Sequence, residues 1–322
     1  MVLPKGTLAL TQQRMAHLRP TAAKWQLYEF DERDDAFAQV DIGECGNLAT
    51  RLVHATDETS ARERFADSIT RIRGILPQCE VVVLSPAMIS FRLRGLEFAQ
   101  ARVAHDPRNF QSGREIAFGL GAEERVLDEC NESQFVDLVQ LAAAIRQKDG
   151  PKAHPLWRMN PERWLESVVF GNVEALDGRL RTKCVYSQVP AFSAADRAMI
   201  DVLALTRESR LAVIELKADE DIHLPLQGVD YWSRVTWHQN RGEFRKFGYF
   251  PGQELSPQKP LLLLVAPALH VHPATDTILH YLSPEIEWEL LGIDERWRDG
   301  MRVVFRKRAS DRESEAAGRK TA

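Results

Sequence analysis

The sequence predicts an α/β protein of two domains, on three observations. Its 322 residues are about twice the usual size of a single domain. A composition of 44% hydrophobic and 27% charged residues suits folded cores. Beyond residue 160, apolar runs of strand length alternate with helical periodicity in the order α-β-β-β-α-β. The expected division is an amino-terminal α+β domain over 1–150, a second domain over 151–307 and a disordered charged tail over 308–322.

Charge and cysteine usage narrow the class. Forty-two basic residues against 46 acidic give a net charge of −4. Proteins that coat polyanions by global charge are basic, so any nucleic-acid contact here must be local. No apolar run approaches the ~18 residues of a membrane span, and no membrane partner is expected. Gln12, Gln13 and Arg14 interrupt the first 20 residues, so no secretory signal is expected there. Cys45, Cys79, Cys130 and Cys184 form no C-x-x-C pair. That spacing argues against a zinc ribbon and a disulfide scaffold, and it suits the cytoplasm.

In the first 150 residues, Ala61–Leu76 reads as a helix carrying Phe65, Ile69, Ile72 and Ile75. Glu80–Leu84 reads as a strand. In Ser90–Gly95, alternation sets Phe91 and Leu93 against Arg92 and Arg94. Arg102, Arg108 and Arg114 follow, either as a solvated face or as a phosphate-contacting surface. Gly119-Leu-Gly121 lacks the rest of a dinucleotide or P-loop signature. Ser133–Gln147 is helical, with Phe135, Leu138, Val139, Ala142 and Ile145 in step. Lys148–Pro161, with three prolines and a glycine, then reads as a linker.

In the second domain, Asn160 is placed to cap a helix over Glu162–Phe170, with Pro161 in its first turn. Strands follow at Val185–Phe192, Ala198–Leu205 and Leu211–Lys217, with a turn at Ser193–Asp196 between the first two. Pro225 opens a helix running to about Gln239, and Leu261–Val265 is the fourth strand. A helix near Thr275–Leu282 and strands near Ile286–Leu290 and Met301–Phe305 complete the domain.

The chemistry lies on the second and third of these strands. Leu211–Lys217 is apolar on both faces until its end, where Glu215 and Lys217 share one face. Asp201 interrupts Met199-Ile200 and Val202-Leu203 in the same way. Ions at the rim of a buried strand cost desolvation energy unless paired or metal-bound. A hairpin that joined the two strands would bring both carboxylates together, and a cation between them would relieve their repulsion. Oxygen ligands select a hard ion such as Mg²⁺, whose bound water can attack phosphorus. Lys217 would act as a point charge beside that water or the scissile phosphate. An E-x-K alone is weak evidence, since such pairs are commonly exposed cross-strand ion pairs.

Asp201, then Glu215-Leu216-Lys217, in an α-β-β-β-α-β order resembles the PD-(D/E)XK nuclease superfamily. The preceding helix offers Glu166, with Glu162 one turn earlier. Gln227-Gly-Val-Asp-Tyr231 on the following helix resembles the Q-x-x-x-Y element of the RecB-like branch. Ile200 stands where the eponymous proline would be. The two-part layout is similar to NucS-type endonucleases, although the first 150 residues carry no specific motif.

The resemblance implies a restriction-endonuclease-like core with a mixed central sheet. It implies Mg²⁺ or Mn²⁺ held by Asp201, Glu215 and the Leu216 carbonyl with help from Glu166, and Lys217, Gln227 and Tyr231 at the site. The implied activity is hydrolysis of nucleic acid, with DNA favoured. The alternative is a catalytically silent module of the same fold that binds nucleic acid or assembles with protein. The amino-terminal domain would position substrate, a partner protein or a second copy.

Around this site, Arg234, Arg241 and Lys246 are interleaved with Tyr231, Trp232, Trp237 and His238. Such a mixture can track phosphates and stack bases. The competing reading puts at least one of the tryptophans in the core. His270 and His272 are expected to share a strand face without a third metal ligand. Cys184 reads as a buried thiol.

Overall fold

The computed structural model describes residues 1–43, 50–105, 112–121, 123–192 and 199–310. The expected turn at 193–196, Arg108, Cys45 and most of the expected tail lie outside them. The chain folds as two units, one from residues 1–54 and 169–322 and the other from residues 55–168. The first unit begins with β1 (Val2–Pro4), α1 (Ala9–Ala16), β2 (Leu27–Asp31), β3 (Ala36–Val40) and β4 (Arg51–Leu52). The second unit holds α2 (Glu58–Arg64), α3 (Ala66–Ile75), β5 (Glu80–Ser85), β6 (Met88–Leu93), β7 (Leu96–His105) and β8 (Ser112–Phe118). It continues with β9 (Arg125–Val126), α4 (Glu132–Ile145), α5 (Pro155–Arg158) and most of α6 (Pro161–Gly171). The chain then re-enters the first unit through α7 (Val173–Leu176), β10 (Leu180–Phe192), β11 (Met199–Thr206) and β12 (Leu211–Leu216). The final elements are α8 (Leu224–Asn240), α9 (Glu243–Lys246), β13 (Leu261–Pro267), α10 (Thr275–His280), β14 (Trp288–Ile293) and β15 (Val303–Arg308).

This division differs from the expected seam at 148–161. The prolines there do not mark a free linker, because Pro155 starts α5 and Pro161 starts α6, positions where a missing N–H costs nothing. The segment wraps around Arg146, whose side chain is fully buried. The Arg146 guanidinium donates to the carbonyls of Leu156 (3.0 Å), Met159, Asn160 (3.4 Å) and Arg94 (2.9 Å). It also lies 4.6 Å from the Trp164 ring centroid. Asn160 takes a left-handed φ of 47°, and its carbonyl accepts the Trp164 N–H.

The second unit carries a five-stranded antiparallel sheet in the order β5-β6-β7-β8-β9. Its apolar face forms a core with Phe65, Ile72 and Phe135. The expected 61–76 helix breaks at Phe65, whose backbone leaves helical geometry between α2 and α3. The expected alternation through Gly95 stops at Leu93. Arg94 and Gly95, at φ 49° and 73°, form the two-residue turn into β7. A side chain on Gly95 would meet the Arg163 carbonyl, so only glycine fits there.

The first unit is built on a seven-stranded mixed sheet, β15-β14-β13-β12-β11-β10-β4. Strands β12, β13 and β14 run parallel and every residue in them is buried, which requires cover on both faces. Helix α8 supplies cover by packing on β12 and β13. Gly228 permits the close approach, since a Cβ there would come within 2.5 Å of Leu264. The amino terminus joins this unit through Arg14, which pairs with the buried Asp230 of α8 at 2.7 Å. The chain is thus mixed α/β with mixed sheets.

The expected tail begins too early at 308. Arg308 closes β15 and lies 3.3 Å from Glu289. It joins a buried ion network in which Arg179 bridges Asp177 (2.6 Å) and Glu289 (2.7 Å), and Arg306 bridges the same two carboxylates. Burial alone would raise the Asp177 carboxyl, but hydrogen bonds from Arg179 and Arg306 outweigh it and hold it well below the usual carboxylate range. Its folded value is therefore depressed, so its contribution to stability is present above the unfolded value near 4 and is lost as pH falls below it. Asp177→Asn is expected to flatten the acid limb of a stability–pH curve below about pH 4. An acid limb identical to wild type would contradict that assignment.

Candidate active site

Asp201 and Glu215 sit on neighbouring antiparallel strands. Val202 pairs with Ile214 and Leu203 with Val213, so Asp201 and Glu215 are the residues that flank the end of that paired register. Asp201 is half-buried and its Oδ2 accepts the Leu216 N–H at 3.1 Å. Glu215 is 1% exposed.

Lys217 follows the last residue of β12, its N–H bonded to the Val265 carbonyl at 3.0 Å. The ladder thus continues one residue past the strand and fixes where the lysine leaves the sheet. Its Nζ lies 3.6 Å from Glu215 Oε1 and 3.9 Å from Asp221 Oδ2. Asp221 is held by an Asx turn in which its Oδ1 accepts the His223 N–H at 2.8 Å. Asp221 was not legible as a partner of Lys217, because in the sequence it is one of several acids in a loop. The ammonium therefore sits between two carboxylates.

Helix α8 carries Gln227 and Tyr231 four residues apart on one face, both half-buried. Gln227 Oε1 is a buried oxygen with no hydrogen-bond partner among the described residues. Glu166 lies in the part of α6 that belongs to the other unit, where it is buried and accepts from Arg163 at 2.9 Å. Beside Asp201 in the sheet, Gln188 of β10 adopts a left-handed φ of 52°. A non-glycine residue held there costs on the order of 1–3 kcal/mol. Nothing in the local sequence signals that kink.

The surrounding basic and aromatic residues divide by burial. Trp232 is a core residue, 2% exposed, donating its indole N–H to the Pro260 carbonyl at 2.7 Å. Arg234, expected among nucleic-acid contacts, is instead buried at 3% exposure, because it falls on the packed side of α8. Arg241 and Lys246 are exposed. Arg241 lies 4.4 Å from the Trp237 ring centroid, leaving a guanidinium and an indole together at the surface. His270 and His272 do not share a strand face, since β13 ends at Pro267 and a short 3₁₀ turn carries His270. They pair separately, His270 with Glu295 at 3.5 Å and His272 with Glu220 at 3.8 Å. Cys184 is half-buried.

Among the described residues, no group of three or more His, Cys, Asp or Glu side chains is gathered for a metal ion. Asp201 and Glu215 nonetheless suit a hard cation, because such ions keep several waters and use one or two protein carboxylates. No described helix is long and apolar enough to cross a membrane. No protein-family model, curated protein or solved structure matches the chain.

Proposed function

We propose that the first unit is a cation-dependent nuclease that hydrolyses phosphodiester bonds, most readily in DNA, as its resemblance to the PD-(D/E)XK superfamily implies. The observation that carries this reading is the Asp201 carboxylate bonded to the Leu216 N–H at 3.1 Å, beside Glu215 at the end of a buried strand, with the Lys217 ammonium 3.6 Å from the Glu215 carboxylate. Asp201, Glu215 and the Leu216 carbonyl would hold Mg²⁺ or Mn²⁺. When bound, the ion supplies positive charge against the phosphate oxygens and acidifies water.

The chain's own residues do the rest. The Leu216 N–H orients the Asp201 carboxylate. Asp221 and Glu215 hold the Lys217 ammonium as a fixed charge beside the scissile phosphate, worth most where water is excluded. Gln227 and Tyr231 of α8 would border the site, as the resemblance implies. Arg241 and Trp237 offer phosphate and base contacts at the surface.

The test is cleavage of single-stranded, duplex, flapped and mismatched DNA with Mn²⁺. DNA binding with no cutting across that panel would favour the silent module instead. Gly228→Val should push α8 off β13 and reduce cutting at least tenfold while leaving the protein folded. Unchanged rates in that variant would remove α8 from the site.

A further inference from the structure

A second reactive arrangement lies in the same unit. Thr50 Oγ1 is 2.7 Å from His238 Nε2, and His238 Nδ1 is 2.5 Å from Glu243 Oε2. The imidazole is 1% exposed. Burial lowers its basicity against the opposing pull of Glu243. With Nδ1–H donated to the carboxylate, Nε2 is the acceptor for the threonine hydroxyl. The hydroxyl opens on a mainly apolar cavity of about 160 Å³ lined by His17, Trp232, Arg234, Thr236, Trp237 and Asn240, among others. An apolar cavity of ~150 Å³ holds one benzene ring, so this one takes a short acyl or single-ring group.

We propose that Thr50, His238 and Glu243 form a hydroxyl–imidazole–carboxylate relay that makes Thr50 Oγ1 a nucleophile toward esters with small acyl groups. Roles and geometry identify such relays irrespective of chain order. Thr50 Oγ1 passes its proton to His238 Nε2 and bonds to the ester carbonyl carbon. The carbon–oxygen bond to the alcohol breaks, and the departing oxygen takes the proton from His238. Water then attacks the acyl-threonine, His238 accepts its proton and returns it to Thr50, and the carboxylic acid leaves. The sum is ester plus water to acid plus alcohol. Glu243 orients the imidazole throughout. The relay uses neither Lys217 nor a bound metal ion.

The experiment treats the full chain with p-nitrophenyl acetate, reading p-nitrophenolate release and the site of acetylation by mass spectrometry. A burst approaching one equivalent per chain, with the acetyl group on Thr50, is expected. Thr50→Ser should retain the burst and Glu243→Gln should slow it about 10²-fold or more, the usual weight of positioned acid–base groups. Lys217→Ala should leave it unchanged, which separates this result from the fate of the nuclease reading. Thr50→Ala should abolish acetylation at residue 50 and lower release to the rate of free imidazole at equal concentration. Acetyl groups found only on lysines, or equal bursts in wild type and Glu243→Gln, would overturn the proposal.

Discussion

Lys217→Ala and Asp201→Ala are each expected to lower DNA cleavage by about 10²–10³-fold or more, the usual loss when one charge-stabilising group leaves a dry site. The two variants should fail for different reasons. Asp201→Ala removes a carboxylate that the Leu216 N–H orients, so cation affinity falls along with the rate. Lys217→Ala leaves both carboxylates in place, so cation uptake should persist while kcat falls. It also deprives the buried Glu215 of the ammonium 3.6 Å away, which makes a loss of stability part of the expectation. Comparing melting temperatures with rates separates the two effects. Lys217→Ala that cuts at the wild-type rate would show that the ammonium has no catalytic part.

The largest stability effect is expected at Arg146. Replacing it with methionine takes the fully buried guanidinium away from the carbonyls of Arg94, Leu156 and Met159, while the Asn160 carbonyl keeps the Trp164 N–H. Each stranded buried acceptor costs ~1–3 kcal/mol, so a loss on the order of 4 kcal/mol is expected even if some carbonyls find new partners. For a unit of this size that lowers the melting temperature by more than about 10 °C. Arg146→Lys should recover little, because one ammonium cannot span carbonyls that a planar fork reaches together. Trp164, stacked under the guanidinium, gives a fluorescence signal for the change. A shift under about 2 °C in both variants would show that the 148–161 segment is a loose linker after all.

The candidate site was legible because its signals are local. Asp201 and Glu215 interrupt apolar strands, and Gln227 and Tyr231 keep helical spacing, so each could be read within a dozen residues. The parallel strands β12 and β13 announced themselves as unbroken apolar runs. What could not be read depends on partners far apart in sequence. Arg14 meets Asp230, Thr50 meets His238, and Arg306 meets Asp177, and no local pattern links either member of those pairs to the other. For the same reason the first 54 residues were assigned to the wrong unit. The prolines of 148–161 misled differently, since at helix starts they mark order instead of a break.

The most direct measurement is calorimetric titration of Mn²⁺ into the full chain with a non-cleavable phosphorothioate oligonucleotide present. Saturable uptake is predicted in wild type and in Lys217→Ala, and its loss is predicted in Asp201→Asn combined with Glu215→Gln. No saturable uptake by the wild-type protein, or equal uptake by the doubly substituted one, would contradict a cation held by these two carboxylates.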